Sequence, residues 1–308
     1  MGPKLSLEDL RKMTALQVLE DDRVRARFIN TYNSLHKSVE GEYFYEKEKY
    51  NLMRVVTGSA DLKKCTAFSM YGVFLDIAAM GLTLDQTTQP LFYVLPYNQK
   101  VGRDQNGNDV WEKRAVVEIS PYGELALRIQ AGQIKYADRP VIVYEGDTFQ
   151  PIVNDNGQKI VRYQAKTPRQ SKKIIGSFIR LTRPDGSFDF YHMLEDDIAR
   201  LKGYSARKNR DAGANTLYTS DAGQIDSGFL EAKTIKHAFR TFPKIRLGQF
   251  SQLQRDEEPV QTIDYGLDDT RVATPQTPDP EPFGAENPDR DNPSQPKPVT
   301  VEDKDDVF

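Results

Sequence analysis

The sequence predicts an α+β protein in which N-terminal helices pack on a small antiparallel sheet of long hairpins, followed by a late basic helix and a disordered acidic tail. Three observations predict it. Apolar residues recur at helical spacing through residues 5–80. From Pro90 onward, β-rich runs alternate with glycine, asparagine and proline turn signals as far as Met193. From about residue 254 the chain carries nine of its eighteen prolines and a strong acidic excess, a composition that cannot bury enough apolar surface to fold.

In order, Ser6-Leu7-Glu8-Asp9 reads as a capping box that opens the first helix. Val24 to Leu35 and Phe44 to Val56 form amphipathic stretches, and Asp61 to Met80 carries the broadest apolar face, closed by Gly81 at a C-terminal cap position. The stretch from Gly81 to Phe149 organises the rest. Pro90 to Tyr97 is a β-rich run bracketed by prolines, the usual setting of an edge strand. Val110 to Ile119 is its partner across the turn residues Gly102 to Asn108, giving a long hairpin. Glu124 to Ala131 has helical spacing and stops at Gly132, and Val141, Val143 and Tyr144 suit a strand. After the turn Asn154 to Gly157, Lys172 to Arg183 and Phe188 to Met193 form a second hairpin around Pro184-Asp185-Gly186-Ser187, with Phe188, Phe190 and His192 on one face. Glu195-Asp196-Asp197 opens a short helix over Ile198 to Leu201, where acids favour the first turn.

Composition narrows the function classes. The 308 residues contain no run of about eighteen apolar residues, and the N-terminus lacks the apolar core of a signal peptide, so a cytoplasmic protein with no membrane partner is expected. One cysteine, Cys65, allows neither an intrachain disulfide nor a cysteine-rich zinc site. The net charge of −3 conceals a division along the chain. Residues 162–253 hold 17 Lys and Arg against 9 Asp and Glu, whereas residues 254–308 hold 5 against 15. A basic segment of that kind suits a polyanion. Three segments follow: N-terminal helices over 1–60, with a subunit interface as one use; a core over 61–253; and the tail over 254–308.

Two basic clusters stand out. Lys202 to Arg210 mixes cations with Tyr204 in what reads as a mobile loop. On a helix from about Ser227 to Phe242, Lys233, Lys236 and Arg240 recur at intervals of three and four and share one face, beside an apolar face of Phe229, Ala232, Ile235, Phe239 and Phe242. A helix anchored by one side and cationic on the other can track a nucleic-acid backbone; an ordinary amphipathic surface helix has the same pattern.

Four pieces at these spacings resemble the RecT family of phage single-strand annealing proteins over roughly Ala60 to Lys244. They are Gly81-Leu82-x-Leu84-Asp85 leading to Tyr93-Val94-Leu95-Pro96-Tyr97; Glu118-x-Ser120-x-x-Gly123-x-Leu125-Ala126-x-Arg128; Val143-Tyr144-Glu145-x-Asp147-x-Phe149; and Ala232 to Ala238. Where members often carry tryptophan before the last piece, this chain has Gly228-Phe229. The resemblance implies a non-catalytic protein that binds single-stranded DNA and anneals it to a complement without ATP. It also implies a ring or helical filament with DNA in a basic groove, served by a 5′-3′ exonuclease and the host single-stranded-DNA-binding protein or its partners in a bacterial cell. The DNA-contacting candidates are Tyr122, Arg128, Lys172, Lys173, Arg207, Lys208, Lys233, Lys236 and Arg240; no catalytic residue, metal ligand or nucleotide cofactor is implied.

Three other classes compete with this reading. An ATP-driven strand-exchange protein needs a phosphate loop, and Gly102-x4-Gly107 continues with Asn108-Asp109 instead of Lys-Ser/Thr. A metal-dependent nuclease would draw on Pro184-Asp185 and Glu231-Ala232-Lys233, which need not converge. A structural phage assembly protein would form oligomers without DNA affinity. The ending Glu302 to Phe308 resembles the acidic, Phe-terminated tip of bacterial single-stranded-DNA-binding proteins, with a solubilising tail as the plain alternative.

Overall fold

The computed structural model describes residues 5–85, 89–209 and 214–254, without the side chains of residues 207–209. Two capping boxes start the chain. Ser6 opens α1 (Leu7–Lys12) and Thr14 opens α2 (Ala15–Glu20), where the Thr14 hydroxyl accepts from Gln17 N–H and Gln17 returns the bond to Thr14 N–H at 2.8 Å. The second break lay unread within residues 5–80, because Thr14-x-x-Gln17 repeats the signal of the first so soon after it. Two longer helices follow, α3 (Asp22–His36) and α4 (Gly41–Gly58), and then α5 (Ala67–Met80). Gly81 caps α5 in the left-handed region at φ 64°, its N–H donating to Ile77 O. Nearly every side of α5 is buried, so its broad apolar face is the signature of a central helix.

The long hairpin is β1 (Phe92–Arg103) with β2 (Asp109–Ile119), paired from Phe92↔Ile119 outward to Arg103↔Asp109. Pro96 sits on β1, whose only partner strand among the described residues is β2, as an edge strand requires. The glycine-containing segment that superficially resembled a phosphate loop is this hairpin's turn, with Gly107 at φ 81° and Asp104 accepting the N–H groups of Asn106 and Asn108. Ser120 then caps α6 (Pro121–Gln130), and its hydroxyl also donates to Pro90 O at 2.6 Å. At Gly123 a Cβ would lie 1.9 Å from Leu91 O, so only glycine lets α6 approach the start of β1 this closely.

One apolar cluster joins α1 to α5 with Phe92, Val94, Val117, Ile119 and Leu127. The N-terminal helices are therefore continuous with the core, and no core boundary falls at residue 60. The same cluster includes Ile245, Leu247 and Phe250 from far along the chain. Gly72 provides the flat place for Phe250, whose ring would stand 2.0 Å from a Cβ there. Buried Asp76 accepts from Phe250 N–H at 2.8 Å and Ser251 Oγ at 2.6 Å.

The second half holds β3 (Tyr136–Ala137), β4 (Val141–Tyr144), the hairpin β5 (Thr148–Val153) with β6 (Lys159–Gln164), and the hairpin β7 (Ile174–Thr182) with β8 (Phe188–Leu194). β7 pairs with β3, β4 and β8, all antiparallel, while β5 and β6 pair only with each other. Two helices complete it, α7 (Glu195–Asn209) and α8 (Ser227–Ala238), and β9 (Ser251–Leu253) returns to lie parallel to β2. Small antiparallel sheets under helices are thus present, but the described residues form three of them and one carries a parallel strand. Over residues 202–209, α7 corrects the loop expected across 202–210, of which residue 210 lies outside the described residues: Ala199, Leu201, Lys202, Ala206, Arg207 and Lys208 are good helix formers, and Gly203 and Ser205 do not outweigh them. The expected tail lies outside the described residues from 255 onward.

Glu48 carries a pH-dependent prediction. This fully buried α4 carboxylate accepts from Thr83 Oγ1 at 2.6 Å and Leu84 N–H at 2.8 Å, pinning the chain beyond Gly81. Burial nonetheless holds its carboxyl above the ordinary 4.5. The folded chain therefore binds this proton more tightly than the unfolded one. Its contribution to stability is complete below pH 4.5 and is lost as pH rises through the folded value. Glu48→Gln should flatten that descending limb in urea midpoints taken from about pH 4 to about pH 8, and an unchanged limb would refute the assignment.

Candidate nucleic-acid interface

β7 has two working faces. On one, Ser177 Oγ meets Thr234 Oγ1 at 2.6 Å, and Ile179 and Leu181 pack with Ile235, Ala238 and Phe239, which seats α8. On the other, Phe178 stacks on Phe149 at 5.8 Å and meets Tyr163 edge-on at 5.2 Å, so the β5–β6 hairpin lies over it. Asp147 fixes the base of that hairpin, accepting from Tyr144 N–H, Tyr163 Oη and Lys166 N–H at 2.9–3.1 Å. β8 is left as the free edge of its sheet.

Two open troughs run beside β8, with volumes of about 580 and 360 Å³, and both include Lys159 and Tyr191 in their walls. Phe188, Arg183 and Thr241 line the larger, while Phe190, His192 and His237 line the smaller. Cations sit on aromatic faces here: Lys159 Nζ is 5.5 Å from the Tyr191 ring centre and Arg180 Cζ is 5.6 Å from that of Phe188. Arg183 pairs with Asp189 and Arg180 with Asp138. At the far end of β8, Lys173 bridges Glu195 at 3.1 Å and Glu145 at 3.7 Å, and the first of these pairs does most to hold its ammonium above the usual range. From Phe188, opposite Thr182, to Leu194, opposite Gly176, the track measures about 20 Å at roughly 3.4 Å per residue.

Of the residues expected to contact DNA, Lys172 and Lys173 are exposed at the start of β7 beside this track, and Lys172 has no carboxylate within ion-pair distance among the described residues. Arg240 is exposed, but α8 ends at Ala238 and Phe239 to Thr241 form a 3-10 turn, so it leaves the helical row. Lys233 is half-buried with its Nζ 4.9 Å from the Phe229 ring centre, and the Nζ of Lys236 is buried. The expected cationic face of α8 is thus partly an inner face: the helix packs against β7 and β8 on one side and α6 on another. Arg128 is a correction. It is 3 % exposed, bonded to Glu124, Gln133 Oε1 and Pro243 O, and covered by Phe239 and Phe242. Tyr122 is half-buried and packs against the cluster that seats α8, with an enclosed hydroxyl whose pKa burial and then Glu231 push up. The side chains of Arg207 and Lys208 lie outside the described residues.

Sequence reasoning missed Lys159, Arg183, Phe188 and Tyr191 as a group, because only the register of two hairpins brings them together. One signal was readable: residues 162–173 hold five cations and no carboxylate. Among these, Arg169 stacks 3.5 Å from the centre of Tyr144. The carboxylates of the nuclease alternative are separately engaged, Asp185 by Ser187 within its own turn and Glu231 by Arg139 at 3.0 Å. No protein-family model matches the chain, and no curated protein matches its sequence.

Proposed function

We propose that this chain binds single-stranded DNA and anneals complementary strands without a nucleotide cofactor, acting as an oligomer in phage-type homologous recombination. The observation that carries the reading is the open, aromatic-walled track along β8 with cations along its length, Arg183 at one end, Lys159 over Tyr191 at its middle, and Lys172 and Lys173 at the other end. The basic balance of residues 162–253 and the RecT-like pieces support it. Annealing asks for little chemistry. Cations must screen two phosphate backbones, and the contacts must leave most base edges free, which favours phosphate and stacking contacts over base readout. Half-buried aromatic rings beside exposed lysines meet both requirements.

The test is annealing of two complementary labelled oligonucleotides by purified full chain without nucleotide, with single-strand affinity measured across a salt titration. Wild type should anneal them. Lys172→Ala/Lys173→Ala should weaken binding about tenfold at low salt and make the log–log salt slope shallower by about 1.4, two phosphate contacts at roughly 0.7 each. Both side chains are exposed, so the fold should stand. Binding and annealing unchanged in the double variant would remove the β8 track from the reading.

A further inference from the structure

We infer that the 360 Å³ pocket between the β5–β6 hairpin and β8 takes one unstacked nucleobase from the bound strand. This rests on the single-strand reading and specifies where one base of that strand goes. Three elements converge there. The hairpin supplies an apolar wall with Ile152, Val153 and Ile160, β8 supplies the flat rings of Phe190 and Tyr191, and α8 closes the far side with His237. An apolar, aromatic cavity with a few convergent polar groups is the usual form of a site for a planar heterocycle.

The polar groups suit a base edge. His192 and His237 both line the pocket, and neither imidazole is hydrogen-bonded among the described residues. Burial, the largest influence on each, holds both below the usual histidine range, so at neutral pH each offers one N–H donor and one bare nitrogen acceptor. That pair matches the mixed donors and acceptors of any nucleobase edge without selecting one. Asp197, the carboxylate in the wall, is already committed: it accepts from Leu194 N–H at 3.1 Å and Arg200 at 2.6 Å.

The surroundings fit the phosphate attached to such a base. Lys159 stands where the two troughs meet, its Nζ over Tyr191, and Arg240 and Arg200 are near enough to His237 to act on its titration. The hairpin rim is also bare. Val153 is 66 % and Ile152 38 % exposed, so a base would cover apolar surface otherwise left in water. One base held per protomer would keep the strand in place while its neighbours stay free to pair, and the complementary strand would draw that base out as the duplex closes.

The experiment compares full-chain binding of a thymidine oligomer of about twenty nucleotides with an abasic tetrahydrofuran oligomer of equal length and charge; wild type should prefer the former about tenfold. Ile152→Trp, at the partly exposed rim, fills the pocket and should reduce that preference to about twofold or less while leaving abasic binding unchanged. Photocrosslinking with 5-iodouracil should label the peptide carrying Tyr191 and His192. Equal wild-type affinity for both oligomers overturns the pocket and leaves the single-strand reading intact. A preference that survives Ile152→Trp, with crosslinks elsewhere, also overturns it. If neither oligomer binds, the single-strand reading fails and the pocket's role with it.

Discussion

Arg128→Ala should destabilise the fold by about 3–5 kcal/mol, the loss typical when one partner of a buried ion pair is removed. Glu124 and Arg128 stand one helical turn apart on α6, with side chains 5 % and 4 % exposed and an N–O separation of 2.5 Å. Alanine would strand the Glu124 carboxylate without its cation. It would also release Pro243 O and Gln133, and take the guanidinium from above Phe239 at 4.7 Å and Phe242 at 5.5 Å. Urea denaturation should show a lower midpoint with little change in slope. The double replacement Arg128→Met/Glu124→Leu should recover much of the loss, since apolar groups of similar volume need no counter-charge. Below the transition, the salt slope of DNA binding should match wild type. A normal midpoint with a shallower salt slope would make Arg128 a DNA contact after all.

Asp76→Ala should cost about 3 kcal/mol, as a carboxylate accepting a buried hydrogen bond from Phe250 N–H and a partly buried one from Ser251 Oγ is replaced by nothing that can accept. The loss should be local first. Phe250 O also accepts from Val117 N–H at 2.7 Å, so the segment from Ile245 to Leu253 is stitched to both α5 and β2. Hydrogen exchange should show the amides of Val117 and Phe250 losing protection before those of α3. Uniform loss across all three would mean that the segment is no separable unit.

Local periodicity made much of the fold legible. The Ser6 box, the Gly81 cap, the hairpin turns at Gly107, Gly157 and Gly186, and the α8 pattern are set by residues within a few positions of one another. What escaped was set by distant partners. Nothing near Phe250 announces that it closes over Gly72, and nothing near Tyr191 announces Lys159. The residues that carried the family resemblance show why such likeness misplaces a surface. Ser120, Gly123, Arg128, Asp147 and Thr234 are joints between elements, fixed by close approach or buried polar bonds. The resemblance carries Arg128 over by position as a DNA contact, yet its charge serves the interior. Lys172 and Lys173 flank a strand start, where a long cationic side chain has solvent to reach, and both are exposed there.

The late return of the chain to its own beginning also sets a timetable for synthesis. Asp76 and Phe250 are separated by 174 residues. At about 5–20 residues per second, the groove of α5 at Gly72 waits roughly 9–35 s for the ring that fills it. Through that interval the first half of the molecule has its helices and its long hairpin but an unsealed apolar seam, and only the last few residues before position 254 close it. A nascent chain released early would leave the ribosome with that seam open, so completion of the second half acts as the step that renders the first half safe from aggregation.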